Sequence, residues 1–186
     1  MQYIHRIEWL AYGLLVVVAL AVSLPLFPYR WHTFLHIAGA VVFLGNIIVT
    51  GAWMLMAERT RNVNVIHFSA KAVIRADLLF TLPGVLLVLM NGLVMVFDSW
   101  GGRAAIYQLS WISAALWIFT ASGIIWVGIL IPAQHRMVVF SDPSAHPESL
   151  PSEFSSALRR WYFWGALAIA LPICSLYVMV TKPAFG

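Results

Sequence analysis

Charge is what this chain has least of. Lys and Arg number 11 and Asp and Glu 7 among 186 residues, 10% of the chain, where soluble domains carry about 25%. So few charges cannot coat a soluble domain of this size. That excludes a cytosolic enzyme, a disordered chain and a nucleic-acid binder, despite a pI of about 9.6. A single cysteine, Cys174, excludes an intrachain disulfide, and there is no CxxC or Cys/His zinc spacing. Also missing are a P-loop, a Gly-rich dinucleotide fingerprint and a nucleophile–base pair. Gly101-Gly102 reads as a turn. No internal repeat stands out, and the length leaves no room for a second domain.

What is present is apolar: 62% of residues are hydrophobic and the mean hydropathy is +0.88. Stretches free of Asp, Glu, Lys and Arg fall at 9–29, 31–57, 78–97, 104–135 and 161–181. Crossing about 30 Å of hydrocarbon takes roughly 20 helical residues. The pattern predicts an all-α polytopic membrane protein with five transmembrane helices, near 7–27, 31–57, 75–97, 106–131 and 161–181. A backbone in lipid needs all its amides paired, and no period-2 alternation supports a barrel. Pro25, Pro28 and Tyr29 end the first helix, and Asp98-Ser99-Trp100-Gly101-Gly102 joins the third to the fourth. The segment 136–160 is the one substantial polar loop, with a short interfacial helix expected from Ser152 to Arg160. Ala19-Leu20-Ala21 has the form of a signal-peptidase site, but the segment reads as a retained span.

Basic residues set the orientation. The N-terminus, the second-to-third loop and the fourth-to-fifth loop hold Arg6, Arg59, Arg61, Lys71, Arg75, Arg136, Arg159 and Arg160, eight in all, while Arg30, Arg103 and Lys182, three in all, fall on the other side. The N-terminus is therefore expected in the cytoplasm and the C-terminus in the periplasm. The nine tryptophans read first as an interfacial belt, with Trp117, near mid-span, the one expected to line the core.

Small and polar residues at i+3/i+4 mark helix faces that meet other helices. The second helix carries His32, His36, Gly39, Phe43, Asn46 and Thr50, and the third Asp77, Thr81, Gly84, Val88, Asn91 and Asp98. The fourth carries Ser110, Ser113, Trp117 and Thr120. The fifth carries Trp161, Gly165, Ala168, Pro172, Ser175, Met179 and Lys182. The first is almost all aliphatic. These stripes predict a four-helix core from 31 to 181 with the first helix packed on it as a peripheral element. Depth along the helices groups His36, Asn91, Ser113 and Ser175 or Met179 into a polar pocket in the outer half of the bundle. A second, inner group comprises Glu8, His67, Lys71, Arg75, Asp77 and His135, with Trp126 and Trp164 nearby.

His36 carries the sharpest chemistry: a neutral imidazole inside a bundle is a haem-iron ligand, with Gly39 one turn on expected to leave room for a flat macrocycle. The plainer alternative is a histidine satisfied by Ser113, Ser175 or a backbone carbonyl. His32 and His36, at i and i+4, have the spacing of a metal pair; the alternative is interfacial packing. Arg75 and Asp77 form a candidate intramembrane charge pair, read either as a proton path or anionic-headgroup site, or as a structural ion pair with Arg75 snorkelling.

The stretches LHIAGAVVFLGN (35–46), VIRADLLFTLPGVLLVLMNG (73–92), WVGILIPAQHRM (126–137) and YVMVTKP (177–183) resemble the bacterial integral-membrane family known as domain of unknown function 2269. The resemblance covers roughly 31–183 and leaves the first helix as an addition. In layout, and in the histidine of LHIAG, the chain is more distantly similar to HemJ-type protoporphyrinogen oxidases and CopD-type copper proteins. The HemJ resemblance implies a haem-ligating histidine at His36. The lysine of that type falls near Arg103, whose permanently charged guanidinium does not ligate iron, so oxidase activity is not carried over.

Two functions follow as expectations. The first is a small bacterial inner-membrane protein holding haem b, with His36 as axial ligand, Met179 or water opposite, and Asn91, Ser113 and Ser175 lining the pocket. It would exchange electrons with quinone or a respiratory or other membrane partner. The second is a non-catalytic scaffold or assembly subunit without cofactor. A transporter is disfavoured by the lack of an inverted repeat or broken-helix pair.

Overall fold

The computed structural model describes residues 2–108, 110–146 and 149–184, with side chains from residue 8 onward. Every regular element among them is helical. In order these are α1 (Gln2–Val22), α2 (Tyr29–Arg59), α3 (Val63–Ala76), a π-turn (Asp77–Thr81), α4 (Leu82–Ser99) and α5 (Arg103–Tyr107). Then come α6 (Trp111–Ile125), a second π-turn (Trp126–Leu130), α7 (Ile131–Phe140) and α8 (Ser152–Thr181). Four continuous helices, Tyr29–Arg59, Val63–Ser99, Trp111–Phe140 and Ser152–Thr181, are long and apolar enough to cross a membrane, and the described apolar part of α1, Glu8–Val22, is shorter. The chain is a polytopic all-α membrane protein.

The helix ends differ from the charge-free runs for local reasons. α1 stops at Val22, because Leu24 and Phe27 each precede a proline that steers them out of the α region. Ser23 closes the end, its Oγ donating to the Ala19 carbonyl at 2.7 Å. The helix that begins at Val63 carries Lys71 and Arg75: helical hydrogen bonding starts well before the charge-free run at 78–97. α6 begins at Trp111 behind a reciprocal cap, the Ser110 hydroxyl accepting from the Ser113 amide and the Ser113 hydroxyl from the Ser110 amide. The expected interfacial helix from Ser152 is the first part of α8 itself.

Both π-turns answer a proline. Pro83 and Pro132 lack the N–H that a continuing α-helix needs, and their rings crowd the preceding turn. In each case the residue just before the proline bonds five residues back, Leu82 N–H to the Asp77 carbonyl and Ile131 N–H to the Trp126 carbonyl. One wide turn absorbs the missing donor without ending the helix.

The chain divides into two compact units, one of residues 1–49 and 75–102, the other of 50–74 and 103–186. In the first, α2 and α4 touch through glycine. A Cβ on Gly39 would stand 2.8 Å from the Gly84 carbonyl oxygen, and one on Gly84 would stand 2.8 Å from the Phe43 Cβ. Only a missing side chain allows backbones this close.

The second unit has its own apolar core: Met54, Ile66, Val73, Met137, Phe154 and Trp161 pack there with their neighbours. α6 and α8 run antiparallel and are tied reciprocally, Ser122 Oγ donating to the Ala168 carbonyl at 2.8 Å and Ser175 Oγ to the Ala115 carbonyl at 3.0 Å. α8 ends at Lys182 in the left-handed region (φ 44), its N–H bonded to the Val178 carbonyl; its ammonium sits 5.4 Å from the Trp111 ring centroid. Pro183 follows and bars continuation.

The expected stripes on α2, α3–α4 and α8 are largely the buried faces. On α6 the stripe is corrected: Ile112, Ser113, Ala115 and Ser122 are buried, while Trp117 is 70% exposed. Thr120 turns its hydroxyl back to the Leu116 carbonyl. A tryptophan satisfies an apolar pattern whether it faces lipid or protein, so spacing alone did not place it.

Candidate functional site

The first unit gathers the polar chemistry of α1, α2 and α4. Ser23 Oγ spends its proton on the Ala19 carbonyl, so toward Asn91 it is an acceptor. Asn91 Nδ2 donates to it at 2.7 Å and to the Leu87 carbonyl at 2.8 Å. Both amide hydrogens are thereby assigned, and Asn91 Oδ1 must be the acceptor facing His32 Nδ1, 2.7 Å away. His32 Nδ1 therefore carries a proton and donates to Asn91. Its Nε2 is buried with no hydrogen-bond partner among the described residues. His32 and Asn91 are both fully enclosed, at 0% exposure.

His36, one turn on, repeats the donor role at Nδ1 with a different acceptor. Its Nδ1 donates to the Val88 carbonyl at 2.7 Å, which leaves Nε2 as a lone pair on a half-buried ring. Gly92 gives the ring its place, since a Cβ there would stand 3.1 Å from His36 Cε1 and Nδ1. An imidazole whose Nδ1–H is held by a carbonyl is oriented as metal-ligating histidines are. The room expected at Gly39 for a macrocycle is taken instead by α4. The donor set at His36 fits a single axial ligand. His32 is sealed, with no space beside Nε2 for a metal, and no group of three or more His, Cys, Asp or Glu that would hold a metal ion occurs among the described residues.

The other expected pocket residues fall in the second unit. Ser113 serves the α6 cap, Ser175 ties α8 to α6, and Met179 lies one turn beyond Ser175, half-buried.

Arg75 and Asp77 face different partners. The Arg75 guanidinium lies 3.5 Å from the Glu8 carboxylate, an arrangement open enough to count as a weak surface pair. Asp77, 8% exposed, accepts at Oδ1 from Asn46 Nδ2 at 3.1 Å and from Thr81 Oγ1 at 3.0 Å. Asn46 Nδ2 also donates to Thr81 Oγ1 at 2.9 Å.

The inner group of the second unit centres on Ser141, whose hydroxyl donates to the Val138 carbonyl and accepts from His67 Nδ1 at 3.1 Å. Beyond α7, the Ser144 hydroxyl and amide hold the partly exposed Asp142 carboxyl below its ordinary range, aided by the positive field of His67 and Lys71. Sequence reasoning missed Ser23, Ser122 and the two π-turns. A proline deep in each of two apolar runs was the signal for the turns. A serine beside a helix end carries no comparable mark.

The family described as predicted integral membrane protein (DUF2269) matches residues 31–183, a span that takes in both histidines, Asn46, the π-turns and all four long helices. The chain belongs to this family. Within the DUF2269 region lie α2 to α8 almost complete, and α1 stands outside it together with Ser23, which follows it and joins the His32 network. No curated protein and no solved structure matches the chain.

Proposed function

We propose that this DUF2269 protein is a small redox protein of the bacterial inner membrane that holds b-type haem through His36. The observation that carries the reading is the Nδ1–H bond from His36 to the Val88 carbonyl at 2.7 Å, which fixes the tautomer and offers Nε2 as a ligand. Haem b, when bound, supplies one-electron exchange. The chain's part is to orient the imidazole through Val88 and Gly92, and to keep the surrounding helix faces apolar. Quinone or a membrane partner is the electron source or sink in this reading. The basic-residue distribution supports a cytoplasmic N-terminus and a periplasmic C-terminus.

The test is a visible spectrum of detergent-purified protein, oxidised and then reduced. A Soret band with reduced α and β bands is expected, with loss of most bound haem in His36→Ala at unchanged expression. A protein that shows no Soret absorbance even after haem supplementation would falsify the reading. It would leave the second one, a cofactor-free scaffold or assembly subunit. That alternative is kept because Ser113, Ser122 and Ser175 all spend their hydroxyls on helix capping or helix pairing.

A further inference from the structure

The first turns of α8 separate apolar from cationic side chains. Phe154, Ala157, Leu158 and Trp161 turn into the core of the second unit, which puts Arg159, Arg160 and Phe163 on the outer face. All three are exposed, Phe163 at 68%. Phe163 lies one turn on from both arginines, and its ring meets Trp164 edge-on at 5.5 Å. Further along the same face Ala166, Leu167 and Ala170 are exposed, so the cationic end continues into an apolar track.

Helix geometry gives the depth. At 1.5 Å per residue the stretch from Trp161 to Thr181 spans about 30 Å, the thickness of the hydrocarbon layer. Arg159 and Arg160 therefore stand at the level of the lipid phosphates, on a helix that is continuous from Ser152 to Thr181. Neither guanidinium has an ion pair or hydrogen bond among the described residues. The acids of the neighbouring turns are engaged elsewhere. Glu153 accepts from the Ser152 hydroxyl at 3.1 Å, and Glu58 from the Tyr162 hydroxyl at 3.5 Å.

We propose that Arg159, Arg160 and Phe163 bind an anionic phospholipid. The guanidiniums take the phosphate oxygens, for which their planar forks are suited, and an acyl chain lies along Phe163 and Leu167. Charge sets the class of lipid. A zwitterionic headgroup carries its own cation, which offsets the phosphate and repels the arginine pair, whereas an anionic one leaves the phosphate charge to the protein.

The test is native mass spectrometry of the full-length chain in detergent, titrated with phosphatidylglycerol or with phosphatidylcholine of the same acyl chains. Phosphatidylglycerol should bind about thirtyfold tighter, the summed effect of two arginines near an anionic lipid. Replacing both, Arg159→Gln with Arg160→Gln, should bring its affinity down to that of phosphatidylcholine. Arg103→Gln removes an exposed cation that precedes α6 and should leave the preference intact. The comparison of the two lipids uses the native chain, so it decides even where a substitution prevents folding. Equal affinity for the two lipids overturns the proposal. A preference that survives the double substitution, or that falls equally in Arg103→Gln, overturns the assignment to these residues. Glycerol phosphate displacing phosphatidylglycerol at equal concentration would give the arginines to a soluble anion and overturn the lipid.

Discussion

Gly39 faces the backbone of α4, where an added Cβ would stand 2.8 Å from the Gly84 carbonyl oxygen, whereas a Cβ on Gly45 meets nothing within 4 Å. The same substitution therefore has opposite consequences on one helix. Gly39→Ala should cost about 1–3 kcal/mol through overpacking against a backbone that cannot step aside. Gly45→Ala should be neutral, or stabilise by up to about 1 kcal/mol through the unfolded chain. Unfolding of the two variants in the same detergent compares them directly, and equal effects would refute the close contact. His32 and Asn91 are coupled in the same way. Asn91→Leu strands the enclosed His32 Nδ1–H and should cost about 1–3 kcal/mol. Adding His32→Leu removes the stranded donor, so the double variant should lose less than the sum of the single losses. Strict additivity would mean that the hydrogen bond carries nothing.

At the scale of the element, the π-turns set the phase of two helices. Each adds one residue to a turn, which rotates everything beyond it by about 100°. Asp77 and Thr81 meet Asn46 on one side of Pro83, while Gly84 and Asn91 meet Gly39 and His32 on the other. Removing Leu79 together with Pro83→Ala should turn the wide turn into ordinary α-helix and keep both sets of contacts in phase. Removing Leu86 from the regular part of α4 should throw Asn91 off its face and prevent folding. Elution of each variant as a single sharp species, or its failure to do so, decides between them. If both deletions behave alike, the phase argument is wrong. The sequence exposed part of this. Charge-free runs located the spans and i+3/i+4 spacing located the faces of α2, α4 and α8, because lipid imposes those patterns on every residue at once. It could not show which carbonyl a serine would choose, nor that Gly39 would be filled by a neighbouring backbone, since both depend on the partner helix. The donor roles of the histidines were likewise out of reach: that of His32 follows from a chain of donors that begins at Ser23, in the turn after α1, and that of His36 from the Val88 carbonyl on α4.

For the whole molecule, the basic-residue asymmetry makes a prediction in cells. Alkaline phosphatase fused after the C-terminus should be active, and a fluorescent protein inserted within the 141–151 connection should fold and fluoresce. The reverse pattern would invert the proposed orientation and move His36 to the cytoplasmic half. The two serine bonds between α6 and α8 lie seven residues apart on each helix, Ala115 to Ser122 and Ala168 to Ser175. Neither helix can slide along the other without releasing both latches together. Whatever rearranges in this protein during its working cycle, α6 and α8 will travel as one strut, and motion has to be sought at their ends.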